Sequence, residues 1–519
     1  MGAGRSLPPS RARAAGRARG AILAPLLLAG LPAFADAPLR ELVVEGSVTR
    51  DDHQTYILRE FEVPSGTQGI TLDFEHDGEK DRTVIDLGLM DTEGFRGWTG
   101  SNKSRIEISA FDSTPGYRNG PVSAGTWTLF LGVPNVREGV ETRYKARIRL
   151  HEKYDLAGAL LPGGEPLETG ARWYRGDLHT HTGHSDGYCL SEKGASIPCP
   201  VHLTVEAGVA AGLDFLAITD HNTLSHHQTL RELQPHYDRV LLLPGREITT
   251  FFGHANLIGA PDHIDHRIGP TTDRSVADLL DDVHDQGGLF SINHPALPSG
   301  EACMGCGWRL GDVDFRRVDA IEVINGGSSK YFQGTPEAEK GIEYWQAILD
   351  RGIRITAVGG SDNHDPKLSR DDRQAPVGVP TTVVYADNLS MEAIFAGIRS
   401  GRVFVDLSGN ADRGIDFRAT SGEATTDMGG VLSVGGGAAV TVEIRVLGGE
   451  PGDTIELVSR NGKRPGLERL QIVSDEIRTL QFTSDGSYDW VRANLRDADG
   501  RLLLLTNPVY LNLPGEPGR

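Results

Sequence analysis

The chain has 519 residues, 24% charged and 38% hydrophobic, a globular balance rather than that of a disordered or membrane-embedded protein. Its formal net charge is −19, and the first 35 residues hold Arg5, Arg11, Arg13, Arg17 and Arg19 and no acid, which leaves −24 on the remainder. So acidic a chain lacks the basic face that extended nucleic acid requires, and this favours small-molecule substrates over RNA or DNA.

In chain order, the arginine-rich start precedes an apolar run from Ala21 to Leu31, and Ala33-Phe34-Ala35 fits a small-x-small cleavage site. Residues 1–35 are therefore expected to be a signal peptide cut after Ala35. The run is shorter than the ~20 residues a spanning helix needs. The expected mature protein is periplasmic or secreted, without a membrane span. In an oxidising compartment the four cysteines most simply form structural bridges. Cys189 and Cys199 flank one loop and Cys303 and Cys306 form a Cys-x-x-Cys, and spacing does not choose among the pairings.

Residues 36–155 read as all-β. Tyr144, Ala146, Ile148 and Leu150 alternate with Arg143, Lys145, Arg147 and Arg149, and shorter runs occur at Ile70 to Phe74, Thr83 to Leu89 and Trp127 to Leu131. Strands at that spacing predict a β-sandwich. A Pro- and Gly-rich linker, 156–171, follows. From 172 to 407 short apolar runs, Phe215 to Asp220, Val240 to Glu247, Leu289 to His294, Ala320 to Asn325 and Ile355 to Asp362, each end in polar residues. Between them Val276, Leu279, Leu280 and Val283, and later Met391, Ile394, Phe395 and Ile398, form helical stripes. Strands alternating with helices predict βα units around a parallel sheet or an α/β barrel, and the span is within the usual size of such a barrel. Residues 408–519 return to β alternation at Val440, Val442, Ile444 and Val446, with hairpin turns at Asn461-Gly462 and Asp499-Gly500, and predict a second β-sandwich.

The polar residues at the ends of the apolar runs form a series. His179, His181 and Asp186 stand in GDLHTHTGHSDG, with Trp173 to His181 read as a strand that points both imidazoles one way. Asp220-His221 follows in AITDHN, Glu247 in LPGREIT, His254 in GHANLIG, His294 in SINHP, and Asp362 and His364 in GGSDNH. In a barrel the carboxyl ends of the strands share one face, so these positions converge. Six histidines and three carboxylates exceed what one ion needs, so two or three divalent ions are expected, and mixed imidazole and carboxylate ligands suit zinc, manganese or iron. The remaining histidines read as solvated, His226, His227 and His236 on a surface helix among them. Arg246, Arg309 and Lys330 also read as surface charges.

This ordered set resembles the PHP superfamily, the polymerase and histidinol phosphatase fold. The resemblance covers about the middle half of the chain and implies a distorted (β/α)7 barrel. It implies that His179, His181, Glu247 and Asp362 hold a first ion, and that Glu247 bridges to a second held with His254 and His294. Asp186, His221 and His364 hold a third, and Asp220 orients a ligand from behind. It further implies water-activated phosphoester hydrolysis, with Glu247, His364 and Asp186 nearest the chemistry and no serine or cysteine nucleophile. The leader, the flanking β-regions and CMGCGW after NHP resemble the carbaryl-hydrolase branch, which implies attack on a carbamate or carbon ester instead. A non-catalytic metal-binding module is the third reading, disfavoured because each ligand position of the motifs is retained.

Overall fold

The computed structural model describes residues 40–153, 165–269, 272–299, 305–311, 313–329, 339–369, 374–460, 462–463, 470–471 and 476–515. The expected leader, the first half of the linker, Cys303, Lys330 and Asn461 lie outside the described residues.

In the first region Arg40–Val48, Thr142–His151, Gly69–His76 and Arg105–Ser109 form one antiparallel sheet. Thr55–Val63, Gly125–Asn135, Val84–Asp91 and Gly94–Thr99 form another. The alternation that predicts these strands decides which face is dry: Tyr144, Ala146, Ile148 and Leu150 are buried, and join Trp127, Leu129 and Leu131 of the facing sheet in one core.

In the middle region the strand order is Thr356–Gly360, Ala320–Asn325, Leu289–Ile292, Gly253–Ile258, Leu241–Thr250, Phe215–Ile218, Thr169–Asp177, Thr381–Asn388, Val403–Asp406. Helices Val201–Ala210, Val276–His284, Lys340–Leu349 and Met391–Ser400 pack apolar stripes against it, and the two predicted stripes are buried. The sheet is mixed, which departs from the regular alternation of a (β/α)7 barrel. Gly253–Ile258 runs antiparallel to both neighbours, as do the last two strands to theirs. The cause is local. Thr250 pairs directly with Gly253, so a tight hairpin joins two strands where a parallel pair would need a crossover of a dozen or so residues. The sheet nevertheless curls back on itself: Asp362 N donates to His179 O at 2.8 Å, His181 N to Asn363 O at 2.9 Å, and Thr382 Oγ1 to Gly359 O at 2.6 Å.

The last region differs from a free-standing sandwich. Val403–Asp406 pairs with Leu502–Thr506, so the middle sheet continues into Asp489–Arg496 and Thr454–Ser459. A separate sheet of Ala424–Asp427, Gly414–Ser421, Ala439–Leu447 and Glu476–Thr483 covers it. Asn507 locks the junction, accepting from Ala357 N at 2.7 Å and donating to Ala357 O and Val403 O at 2.9 Å each. Among the described residues no helix is long and apolar enough to cross a membrane.

The first region is tied to the middle one by Arg231, on the helix His227–Leu233. Its guanidinium pairs with Asp112 and with Glu107, both buried. Removing one partner of a buried ion pair strands the other charge at a cost of ~3 kcal/mol or more. Arg231→Ala should therefore lower the stability of the folded chain by about 3 kcal/mol in denaturant titration; an unchanged midpoint would show that water replaces the guanidinium.

Candidate metal centre

The first strand of the middle sheet stops at Asp177 rather than His181, and Asp177 is the reason. Its Oδ1 accepts from His179 N at 3.1 Å and Ser361 N at 3.0 Å, and its Oδ2 from Gly378 N at 2.8 Å. Those bonds draw the chain out of the ladder. The next residues stay extended because Thr180 bridges to Asn363, so His179 and His181 still project together, their ring centroids 5.1 Å apart.

Glu247 occupies the centre, buried beneath five imidazoles and flanked by Asp362. Its Oε2 lies 3.4 Å from His179 Nε2, 3.5 Å from His181 Nε2 and 2.9 Å from His221 Nδ1. Asp362 Oδ1 faces the same pair, 3.3 Å from His179 Nε2 and 3.1 Å from His181 Nε2. Glu247 Oε1 turns the other way, 3.2 Å from His254 Nδ1 and 3.3 Å from His294 Nε2. On the solvent side Asp186 Oδ1 is 3.3 Å from His364 Nε2 and 3.6 Å from His221 Nε2. The nine residues singled out in the sequence thus converge. Among the described residues, potential ligand atoms lie within 4.8 Å of one another in three groups: His181, Asp186, His221 and His364; His179, His181 and Asp362; His179, Glu247 and His294. His179 and His181 each serve two of these groups, whereas His254 belongs to none of them and faces Glu247 Oε1 beside the His294 ring, centroids 5.2 Å apart.

The electrostatics follow from burial among opposite charges. Burial alone would raise Glu247, but His179 and the hydrogen-bonding imidazoles of His221 and His254 hold it well below the ordinary carboxylate range. Asp362 is held down in the same way, chiefly by His179. His181 is lowered to about 4 by burial and then by the neighbouring His364, so its imidazole is neutral near pH 7 with a lone pair to give. Burial opposes charge on His364 too, yet Asp186 and Asp362 push it up to about 9.

Several supporting residues escaped the sequence reading. Glu322 sits inside an apolar strand, 3% exposed, with Oε1 3.0 Å from His179 Nδ1 and Oε2 accepting from His294 N at 2.9 Å and Asn325 Nδ2 at 3.0 Å. With Nδ1 turned to Glu322, the nitrogen of His179 that faces the centre is Nε2, a buried atom without a hydrogen-bond partner. Gly360 makes this approach possible: a Cβ there would lie 2.4 Å from Glu322 Oε1 and 2.5 Å from His179 Cβ. Asn293 Nδ2 donates to Glu247 Oε1 at 2.9 Å. His294 Nδ1 faces Cys306 O at 3.0 Å and His364 Nδ1 faces Asp362 O at 2.9 Å, so in both rings Nε2 is left to face a carboxylate. The one sequence signal for Glu322 is a carboxylate interrupting AIEVIN.

Other placements correct the reading. His226 and His227 are buried rather than solvated; their Nε2 atoms face the carbonyls of Ile218 and Gly245, which satisfies them where the helix meets the sheet. Arg246 is buried as well, donating to the carbonyls of Ala260 and Asp262. Arg309 is exposed, its guanidinium donating to Phe251 O at 2.9 Å. Asp220 does lie behind the ligands, but it holds a loop: it accepts from Thr182 N at 2.8 Å, Thr182 Oγ1 at 2.7 Å and Ser185 Oγ at 2.6 Å, which sets the turn carrying Asp186. Cys189 and Cys199, after that turn, are buried free thiols, and Cys306 is disulfide-bonded. Two candidate ligands bear backbone strain, His294 at φ +27° and Asp362 at φ +51°, a cost that surrounding packing sustains at functional sites.

No family model matches the chain. It is 27% identical over 153 residues, 29% of its own length, to an uncharacterised protein of Methanocaldococcus jannaschii, of which it covers 81%. It is similar to a solved two-domain protein from Bacteroides vulgatus, described as containing a predicted PHP-like metal-dependent phosphoesterase, with 20% identity, TM-score 0.35, and coverage of 65% of this chain and 96% of that one. A presumed metal-dependent phosphoesterase from Bifidobacterium adolescentis is similar at 15% identity and TM-score 0.27, over 43% of this chain and 94% of that one.

The residues present fit divalent cations. The buried Nε2 of His179 has no hydrogen-bond partner and lies 3.4 Å from Glu247 Oε2 and 3.3 Å from Asp362 Oδ1, and nitrogen–oxygen donors of this kind suit first-row metals. Saturating Zn or Mn at about a hundred times Kd should raise unfolding free energy by about 2.7 kcal/mol, read as a higher Tm that a chelator reverses. Glu322→Gln, which removes one of the acceptors behind His179 and His294, should weaken metal affinity by about 10–100-fold in a chelator-competition titration with an unaltered circular dichroism spectrum. Unchanged affinity would mean that Glu322 supports the fold alone.

Proposed function

We propose that the chain is a metal-dependent hydrolase of the PHP type, its curled mixed sheet a distorted form of that barrel, acting on small phosphate esters or nucleotides. The observation that carries this reading is the split of Glu247, one oxygen facing His179 and His181 with Asp362 and the other facing His254 and His294. A carboxylate so placed could hold a cation with either set of imidazoles. In this reading His179, His181, Glu247 and Asp362 hold one ion, Glu247, His254 and His294 a second, and Asp186, His221 and His364 a third; the candidate metals are zinc, manganese and iron. When bound, such ions acidify water and neutralise charge on the ester's oxygens.

The protein's own part is orientation. Glu322 and the Cys306 carbonyl hold His179 and His294 in the tautomer that presents Nε2 inward. Asp177 and Asp220 fix the loops on which His179 and Asp186 stand. Burial grades from a side chain 1% exposed at Glu247 to 26% at His221 and 58% at Asp186, so substrate approaches over Asp186, His221 and His364. That rim would place Asp186, His221 and His364 beside the leaving group, where a cation they held would neutralise its developing charge. Export after cleavage at Ala35 and a periplasmic or secreted location belong to the same proposal and rest on the leader's composition.

Purified protein loaded with Zn or Mn should turn over aryl phosphate mono- or diesters or nucleotides, and Glu247→Gln should lower kcat/KM at least about a hundredfold and release metal. Turnover confined to naphthyl acetate or naphthyl carbamates would replace phosphorus by carbon as the electrophile. Metal binding with no turnover on the panel would favour a non-catalytic module.

A further inference from the structure

The outer face of the second sheet in the first region carries an aromatic strip that, among the described residues, leaves Tyr56, Leu58 and Phe95 exposed. On Thr55–Val63 the outward positions are Tyr56, Leu58, Glu60 and Glu62, and Tyr56 is 72% exposed. Across the sheet, Leu58 pairs with Phe130, Phe130 with Gly88, and Gly88 with Trp98. The rings run in series. Tyr56 and Trp98 have centroids 6.1 Å apart, Trp98 and Phe130 5.1 Å, and Phe130 and Phe95 6.0 Å. Phe95 is 51% exposed.

Two glycines let these rings lie on the sheet. A Cβ at Gly88 would stand 2.3 Å from Phe130 Cζ, and one at Gly132 would stand 2.7 Å from Trp98 Cη2. Both indole and phenyl therefore lie across neighbouring strands, each half-buried. Burying such rings is what a folded chain ordinarily does with them, and here the opposite sheet face already forms the core.

We propose that this strip is a binding platform for a neutral glycan, with a pyranose ring lying on the Trp98–Phe130 pair, whose planes are 35° apart, and flanked by Tyr56, which stands at 69° to Trp98. Aromatic faces are electron-rich and attract the partly positive C–H groups on the flat side of a sugar ring. The ring spacings are close to the length of one pyranose unit. Hydroxyl partners share the face: Glu60 and Glu62 continue the row of Tyr56, and Thr126 and Thr128 that of Phe130, with Thr126 Oγ1 2.6 Å from Glu62 Oε1. The carboxylates of Glu60, Glu62 and Asp86 oppose an anionic ligand. The guanidiniums at the edges, Arg59 and Arg118, are engaged with the carbonyls of Leu58 and Phe95. That charge pattern excludes the single-stranded nucleic acids that also stack on aromatic strips but need a basic groove. A second copy fits poorly: both faces would carry the same acids, and a patch of this width offers on the order of 300–600 Å², short of the ~800 Å² per partner in stable complexes.

The full chain would be run in native gels containing laminarin, xylan or soluble starch, beside Tyr56→Ala and Trp98→Ala. At least one polysaccharide should retard the parent chain, and each substitution should reduce that retardation at least tenfold in apparent affinity while leaving metal content unchanged. Tyr56 is exposed enough that its loss tests the platform even if the Trp98 variant misfolds. Parent mobility unaffected by all three polymers, or retardation undiminished in Tyr56→Ala, would overturn the proposal. So would a concentration-dependent dimer that Tyr56→Ala abolishes, which would assign the strip to self-association.

Discussion

Carboxylates in a dry interior dictate how the middle region is built. An uncompensated buried charge costs several kcal/mol, so each acid must be met by donors on other segments. Asp177 is met by backbone amides from three places in the chain, and these hold the ends of two distant strands and a loop together. Glu322 is met by a backbone amide, an asparagine and an imidazole. Glu247 is met by Asn293 and by imidazoles from four strand ends. The loops converge because these charges admit no looser arrangement.

Much of the candidate site was legible because its residues stop apolar runs. A histidine or carboxylate that ends a buried strand has few structural reasons to be there, and several in order share a cause. Glu322 and Asp177 were passed over for the converse reason: one interrupts a strand and the other closes it before the conspicuous histidines begin. His226 and His227 misled through periodicity, since a short helix beside a sheet can turn nominally polar positions inward when carbonyls are there to receive them. The sheet was legible as α/β but not as mixed. The hairpin at Thr250 to Gly253 reverses the chain within two residues, and nothing in apolar periodicity distinguishes that from a strand followed by a loop.

The two ends of the candidate site have different physical characters. Around Glu247 the side chains are dry, and His179 and His294 are anchored from behind by Glu322 and the Cys306 carbonyl, conditions that hold a fixed geometry. Around Asp186 solvent reaches the ligands, and the turn that bears them is secured through Asp220 from behind. A rigid floor with a more accessible rim suits chemistry in which one small molecule must enter and two must leave. The strained backbone at His294 and Asp362 sits at the floor, where packing is tight enough to sustain it.

The continuity of the middle sheet with the strand Leu502–Thr506 has a consequence for biosynthesis. Val403–Asp406 finds that partner only after a long stretch of later chain has been made, so a nascent middle region leaves the ribosome with a bare apolar edge. Such edges recruit other strands. Shielding by a chaperone, or by export before folding, would answer that exposure, and the final strand would then act as the closing stitch. Middle and C-terminal regions joined in this way cannot be exchanged as independent cassettes, and recombination would have to carry both together.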